Sequence, residues 1–288
     1  MTSATAAPAD GPGRILAVAS GKGGVGKTVL SVALAQALAE AGQGPVLLID
    51  CDHGLANVDV QLGLDPAGRD IGAVLSGRLA LPEAALAHPA GFHLLAGRSG
   101  TGAVLDHAQL GALTGLLGDE AAGGRWRYLV LDLAAGLDPG VRRLAALADL
   151  LLVVATDEPT SLTDAYAVLK LHRRDAAAAG RSGAALVAVN QAADRAAGER
   201  TWRTLDRACT GFLGAGVPLG GIIRRDHRVR EAIRHQVPLL TRHPGSPAAE
   251  DVRRLAQAVA AASGRPPRPP PAVQPITSSL VAAGGEPA

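Results

Sequence analysis

Residues Gly21–Thr28 have the sequence Gly-Lys-Gly-Gly-Val-Gly-Lys-Thr, which matches the pattern Gly-x4-Gly-Lys-[Ser/Thr]. The apolar run Ile15–Ala19 before this stretch predicts a buried strand, and the apolar spacing after it predicts an amphipathic helix. A glycine-rich turn between strand and helix directs backbone N–H groups and the helix dipole at an anion. The stretch therefore predicts a nucleotide site, with Lys27 on the β- and γ-phosphates and Thr28 on Mg²⁺. The predicted phosphate-binding residues are Gly23, Gly24, Val25, Gly26, Lys27 and Thr28.

The amino-acid composition excludes several classes of protein. Of 288 residues, 48% are hydrophobic and 2% aromatic, and the formal net charge is +2. A net charge this small does not by itself indicate a nucleic-acid-binding protein. The low aromatic content also argues against recognition of single-stranded nucleic acid by stacking of its bases on aromatic side chains. No apolar run is long enough to cross a membrane. Residues 1–13 lack a secretory signal, and Cys51 and Cys209 form no metal clip or disulfide framework, so we expect a cytoplasmic protein.

The chain contains three lysines, Lys22, Lys27 and Lys170, and relies otherwise on arginine for positive charge. Two of the three lie in the glycine-rich stretch, which suggests that these positions require an ammonium group. Since Lys27 serves the phosphates of its own loop, Lys22 is free to point outward, towards the nucleotide of another subunit. The sequence therefore suggests a face-to-face dimer, and a solvated Lys22 remains the alternative.

Continuous apolar strands alternate with helical stretches from residue 14 to residue 263. Such strands are typical of a parallel sheet that is covered on both faces. We therefore predict an α/β fold: one P-loop NTPase domain over 14–263, with a mostly parallel, twisted sheet and helices on both faces. Residues 1–13 and the Pro-rich residues 264–288 are predicted to be disordered. The predicted strands are 15–19, 46–49, 92–95, 128–131, 150–155, 184–189 and 217–223.

Polar residues follow several of these strands, at the sheet edge where parallel sheets bind ligands. Asp132 is placed to organise Mg²⁺, and Gly136 to bring its N–H near a γ-phosphate. Asp50 and Asp52 leave the second strand, and one of them could orient the attacking water. Asn190 could bond an adenine edge. The alternatives are a helix cap for Asp132, a surface turn for the other two acids and a turn cap for Asn190.

Residues 22–28 resemble the deviant Walker A motif of the MinD/ParA ATPases, and the resemblance extends over about residues 14–262. The resemblance implies an ATP-dependent homodimer that hydrolyses ATP with Mg²⁺. In this family the additional lysine of the motif contacts the nucleotide across the dimer. The second aspartate after the second strand positions the attacking water. The assignments it implies are Lys22 and Asp52 in catalysis, Gly136, Asn190 and Asp226 at the nucleotide, and Thr28, Asp50 and Asp132 at the metal.

Residues 50–64, 189–192, 225–232 and 236–239 are most similar to the flagellar-number regulators of this family. This implies a slow ATPase switch that sets the number and placement of flagella. The implied partners are a signal-recognition-type GTPase and flagellar switch components. The implied location is the cytoplasm, or the periphery of the inner membrane face or a cell pole.

Some residues depart from the family pattern. His53 replaces an apolar residue, Arg224 stands where proline is frequent, and residues 132–136 lack the usual proline or Thr-Gly form. Residues 1–13 show no GTPase-activating motif. The tail shows no amphipathic helix for a membrane surface.

Two other functions compete with the switch. The first is a partitioning ATPase of the ParA type that binds DNA nonspecifically when dimeric. Its basic stripe would be Arg224, Arg225, Arg228, Arg230 and Arg234. A solvated, arginine-rich helix is the favoured interpretation of that stripe. The second is a metabolic ligase or a metal-cluster carrier, and the isolated cysteines argue against a carrier.

Overall fold

The computed structural model describes residues 11–52, 56–97 and 105–263. The predictions for the first ten residues, for His53 and for the tail at 264–288 lie outside these ranges.

The described strands form a single sheet in the order β3-β4-β2-β5-β1-β6-β7-β8. Its neighbours run parallel except for the antiparallel pair β3–β4, so the predicted mostly parallel α/β sheet is confirmed. The strands are β1 (Arg14–Ala19), β2 (Val46–Cys51), β3 (Leu86–Ala87), β4 (His93–Leu95), β5 (Tyr128–Leu133), β6 (Leu150–Ala155), β7 (Ala185–Ala192) and β8 (Leu219–Arg224).

Helices cover both faces of this sheet, as predicted. Alternate side chains of each strand point to opposite faces, so the sheet separates two apolar clusters. One contains Ile15 and Ala17, and the other contains Leu16 and Val18. The helices are α1 (Lys27–Glu40), α2 (Val58–Leu62), α3 (Ile71–Leu75), α4 (Leu81–Ala84), α5 (His107–Ala122), α6 (Pro139–Leu147), α7 (Pro159–Ala178), α8 (Arg195–Leu213), α9 (His227–Arg234), α10 (Leu239–Arg242) and α11 (Pro247–Ala262).

Helix α1 is more deeply buried than the amphipathic prediction implies. All nine residues from Leu30 to Leu38 are buried. The outer face of α1 is covered by the C-terminal helices: Gln36 Nε2 donates to Thr241 Oγ1 at 2.9 Å, and Arg253 Nε lies 3.1 Å from Glu40 Oε2. A helix that is apolar on nearly all sides belongs in the interior, and Ser31 and Gln36 are the polar residues among these nine.

Short elements and helix ends differ from the sequence prediction. β3 and α10 were not predicted, because two and four residues are too few to show a period. α8 begins at Arg195, four residues earlier than predicted, because Asp194 caps it by accepting the N–H of Ala197 at 2.6 Å. None of the described helices is both long and apolar enough to cross a membrane.

The sheet brings the candidate site together at one edge. β5 lies between β1 and β2, and Asp132 is in register with Val18 on one side and with Asp50 on the other. The loop that follows β1 therefore enters α1 directly beside both carboxylates.

Candidate functional site

The loop between β1 and α1 has the backbone that its glycines predict. Gly24 and Gly26 have φ values of 81° and 84°, in the left-handed region that favours glycine. A Cβ on Gly26 would lie 2.5 Å from Asn190 Nδ2, whereas a Cβ on Gly23 or Gly24 would meet nothing within 4 Å. The loop is therefore closed towards β7 and open on its other side, as a cradle for an anion requires.

Lys27 begins α1 and points into the sheet edge. Its Nζ lies 3.0 Å from Asp132 Oδ1, and both side chains are buried. Ser31, one turn further along α1, donates to the same carboxylate oxygen at 2.8 Å. A buried ion pair is costly unless further hydrogen bonds complete it, and Ser31 supplies one. The structure thus confirms that Lys27 and Asp132 come together.

The second oxygen of Asp132 has no such partner. Asp132 Oδ2 is buried and accepts no hydrogen bond from the described residues. Buried polar atoms are nearly always satisfied, so an open carboxylate oxygen beside a buried ammonium group fits a hydrated divalent cation. Thr28 lies half-buried in the first turn of α1. The residues present therefore fit Mg²⁺ together with a phosphate chain, and the helix-cap alternative for Asp132 has no support.

Asp50 is buried, which rules out the surface turn considered for it. Its Oδ2 accepts the N–H groups of Asn57 and Val58 at 2.9 and 3.0 Å, and its Oδ1 accepts the N–H of Asp52 at 3.1 Å. Asp50 thus holds the start of α2 against β2, which is a structural task. Its proposed place at the metal stays a prediction.

Burial raises the pKa of Asp50 from the ordinary 3.8 to about 6, with Asp132 adding to the rise and the backbone N–H groups opposing it. Because the folded state holds this proton more tightly, the contribution of Asp50 to stability falls as the pH rises from about 4 to about 6. The total loss is about 3 kcal/mol. We expect urea denaturation to show wild-type stability falling by that amount relative to Asp50→Asn over this range. A difference that does not change with pH would contradict this assignment.

Asp52 directly follows the last residue of β2. Its side chain is half-buried. Burial raises its pKa, the positive charge of Lys27 lowers it, and the negative charge of Asp132 raises it again. Asp50, two residues earlier, is in register with Asp132 at this edge of the sheet. The role of Asp52 in orienting the attacking water stays a prediction.

Lys22 points away from the phosphates of its own loop. Its Nζ lies 2.5 Å from Glu158 Oε2 and 3.3 Å from Thr160 Oγ1, and its side chain is 41% exposed. The alternative of a Lys22 side chain that contacts only solvent does not describe this structure, because Glu158 and Thr160 both bind the ammonium group. The ion pair sits on the surface beside the open side of the loop.

Two predicted nucleotide residues form bonds within the protein. Gly136, with φ 107°, donates its N–H to the carbonyl of Ser20 at 2.9 Å. Asn190 Nδ2 donates to the carbonyl of Val25 at 2.7 Å. Both residues lie against the loop, and for Gly136 to meet a γ-phosphate its bond to Ser20 would have to break. These two roles stay predictions.

Asp226 caps α9. Its Oδ1 accepts the N–H of Arg228 at 3.0 Å, and its Oδ2 lies 3.4 Å from the N–H of Ala248. It also lines a cavity of about 780 Å³ that begins at Gly24 and Gly26 and runs between α1, α9 and α11. The cavity is large enough for a nucleoside. The nucleotide role of Asp226 stays a prediction.

The sequence analysis did not include two residues that contact the site, Ser31 and Glu158. Ser31 could have been predicted, because it is a polar residue on an apolar helix face one turn after Lys27. Glu158 follows β6, so the rule that ligands gather where parallel strands end would have included it. Its pairing with Lys22, 136 residues away in the chain, had no local signal.

Comparison with known proteins identifies relatives over nearly the whole chain. Residues 16–239 match the CobQ/CobB/MinD/ParA nucleotide binding domain. The chain is 37% identical to the antiactivator FleN of Pseudomonas aeruginosa over 253 residues, 86% of each protein. It is also 32% identical over 162 residues to the flagellum site-determining protein YlxH of Helicobacter pylori, 56% of this chain and 54% of that protein.

Solved structures agree with the fold. The septum site-determining protein MinD of Pyrococcus horikoshii, complexed with Mg-ADP, aligns with a TM-score of 0.69 and 25% identity over 87% of this chain and 97% of that one. The MinC:MinD cell division complex of Aquifex aeolicus gives a TM-score of 0.69 and 26% identity, covering 86% and 96%. The chain therefore belongs to the CobQ/CobB/MinD/ParA family of nucleotide-binding domains.

Proposed function

We propose that this protein is a MinD-like ATPase that uses ATP and Mg²⁺ to switch between a monomer and a dimer, and that the switch regulates the number or placement of flagella. The observation that carries the switch is the separation of the two loop lysines. Lys27 is buried on Asp132, whereas Lys22 is held outside its own loop by Glu158. Support for the nucleotide comes from the family and from the Mg-ADP complex of a relative with the same fold.

Each residue of the site has a task in ATP hydrolysis. The N–H groups of the loop and Lys27 would bind the phosphates, and Thr28 and Asp132 would hold Mg²⁺, with Asp50 beside them. The metal would neutralise charge that develops on the phosphate oxygens. Asp52 would accept a hydrogen bond from the attacking water and hold it in line with the γ-phosphate. A raised pKa favours this task, because it makes Asp52 a better proton acceptor than an ordinary aspartate.

Lys22 gives the hydrolysis site its link to dimerisation. An exposed ion pair contributes little to stability, about 0–1 kcal/mol, so Lys22 can leave Glu158 at small cost. A second protomer facing the open side of the loop would offer its phosphates to the released ammonium group. The dimer would then form only while a triphosphate is present, and slow hydrolysis would reset it.

The flagellar part of the proposal depends on the relatives. The similarity to FleN spans most of both chains, and YlxH is named for determining flagellar sites. Protein partners would read the dimer, as MinC accompanies MinD in the related complex. A signal-recognition-type GTPase and flagellar switch components are the candidates.

A DNA-binding partitioning function has weaker support. One of the five arginines in the proposed stripe, Arg224, forms an ion pair within the protein, with its Nε 2.7 Å from Asp251 Oδ2. Its charge is therefore already neutralised by Asp251. The exposed arginines that remain are Arg225, Arg230 and Arg234. We expect no ATP-dependent retention of DNA in a gel shift at moderate salt.

The function is tested by counting flagella in cells from which the gene has been deleted. An altered number or position that is restored by the wild-type gene, but not by a gene for Asp52→Ala, supports the proposal. Normal flagella in the deletion strain would contradict the flagellar role and favour another positioning function.

Nucleotide binding is tested with Lys27→Gln. Glutamine can still donate a hydrogen bond towards Asp132, but it lacks the positive charge that phosphate requires. We expect ATP affinity to fall about 100-fold, since hydrogen bonds to charged groups are the strong ones. Isothermal titration calorimetry measures the affinity, and a melting curve confirms the fold. Unchanged affinity would remove Lys27 from the site.

A further inference from the structure

We propose that Ser31 is a positioning residue for the metal site: its hydroxyl holds Asp132 so that one carboxylate oxygen stays free for Mg²⁺ when Lys27 engages the phosphates. The inference rests on the proposed nucleotide site and adds to it a residue that contacts Asp132 instead of the nucleotide. Ser31 lies on α1 one turn after Lys27, and it is fully buried.

The hydroxyl of Ser31 has two acceptors within reach and a single hydrogen to donate. Its Oγ lies 2.8 Å from Asp132 Oδ1 and 3.1 Å from the carbonyl oxygen of Lys27. A serine inside a helix can satisfy its hydroxyl on the carbonyl four residues before it, without any other partner. The ionised carboxylate is the stronger acceptor, and here it is also the nearer one. The hydrogen of Ser31 is therefore directed at Asp132.

The two oxygens of Asp132 have different surroundings. Oδ1 accepts from Ser31 and lies 3.0 Å from Lys27 Nζ, whereas Oδ2 is buried and accepts no hydrogen bond from the described residues. The torsion that exchanges the two oxygens of a carboxylate is soft, so the partners of Oδ1 have to maintain this difference. Both of these partners belong to α1. The carboxylate is thus held from α1, and Oδ2 is left open.

A bound nucleotide would compete for one of the two partners. Lys27 carries the ammonium group that phosphates attract, so a phosphate chain in the loop draws it from Asp132. Ser31 is neutral and fully buried, so its bond to Oδ1 can remain. Ser31 then determines which oxygen of Asp132 is offered to the metal. Groups that orient a ligating carboxylate in this way strengthen metal binding without touching the metal.

The experiment measures the affinity for ADP by calorimetry, once with Mg²⁺ and once with EDTA. ADP is chosen because it has no γ-phosphate to be hydrolysed, and the ratio of the two affinities reports the contribution of the metal. In Ser31→Ala we expect this ratio to fall about tenfold, since loss of a group that orients a metal ligand typically lowers metal affinity about 10- to 100-fold. Ser31→Thr keeps the hydroxyl and should retain the wild-type ratio.

Ser263→Ala is the matched control. Ser263 is also buried, and its Oγ donates to the carbonyl of Val259, four residues earlier, at 2.8 Å. The substitution therefore removes a buried helical hydroxyl of the same kind, but one that bonds no carboxylate. It should leave the ratio of the two ADP affinities unchanged.

A purely structural Ser31 would lower the melting temperature of Ser31→Ala and leave the affinity ratio unchanged, which would overturn the inference while the loop site stands. A folded Ser31→Thr with the reduced ratio of Ser31→Ala would overturn it too. If Ser31→Thr fails to fold, the comparison of Ser31→Ala with Ser263→Ala decides. Wild-type protein that binds ADP equally well with Mg²⁺ and with EDTA would remove the metal site itself, and wild-type protein that binds no ADP would overturn the proposed function.

Discussion

Replacing Lys22 by alanine should abolish ATP-induced dimerisation while the monomer still binds ATP. The ammonium group lies at the surface on Glu158, and the buried partner of Asp132 in the same loop is Lys27. Losing a charge that pairs across an interface typically costs 2 to 5 kcal/mol, which corresponds to a dimer at least about 30-fold weaker. Stability should change by less than about 1 kcal/mol, since the Lys22–Glu158 pair is exposed.

Lys170 is the matched control for this experiment, as the third lysine of the chain. It is exposed on α7, away from the loop. Lys170→Ala should dimerise with ATP as the wild type does. Light scattering with ATP measures the molar mass, and calorimetry measures binding by the monomer. A dimer of normal strength in Lys22→Ala would show that Lys22 does not act across the interface. Loss of ATP binding would show that it serves its own loop.

Asp52→Ala should hydrolyse ATP about a thousandfold more slowly and still bind it. A positioned proton acceptor typically contributes a factor of about 10² to 10⁴. Asp52 accepts no hydrogen bond that holds the described structure together, in contrast to Asp50, which holds three backbone N–H groups. The variant should therefore fold normally and accumulate as the ATP-bound dimer.

Asp119→Ala is the control for the loss of an acid, because Asp119 is exposed on α5. Phosphate release measures the turnover of both variants. Near-normal turnover in Asp52→Ala would remove the residue from its role. Turnover lost together with ATP binding would assign Asp52 to binding instead of water positioning.

The part of the site that could be predicted from the sequence depends on short-range patterns. Gly24, Gly26 and Lys27 lie within one strand–turn–helix unit, and their spacing determines the geometry of the loop. Asp132 and Asp50 could be added because parallel strands end at the same edge. The strand order places β5 between β1 and β2 and confirms that step.

The remaining contacts join distant parts of the chain. The bond between Lys22 and Glu158 and that between Arg224 and Asp251 depend on how loops and helices pack above the sheet. The sequence placed Arg224 in a basic stripe with the arginines that follow it, although Arg224 is the last residue of β8 and α9 begins at His227. Its actual partner lies on α11, 27 residues later. The same packing buried α1 on all sides, which its apolar period alone did not indicate.

The central claim, that ATP closes a dimer through this loop, is tested most directly by the molar mass of Asp52→Ala in solution. Multi-angle light scattering is recorded with Mg²⁺ and either ATP or ADP, at concentrations that saturate the site. We predict a doubled mass with ATP, since the variant cannot reset itself, and a monomer with ADP. A variant that binds ATP and remains monomeric would contradict the switch.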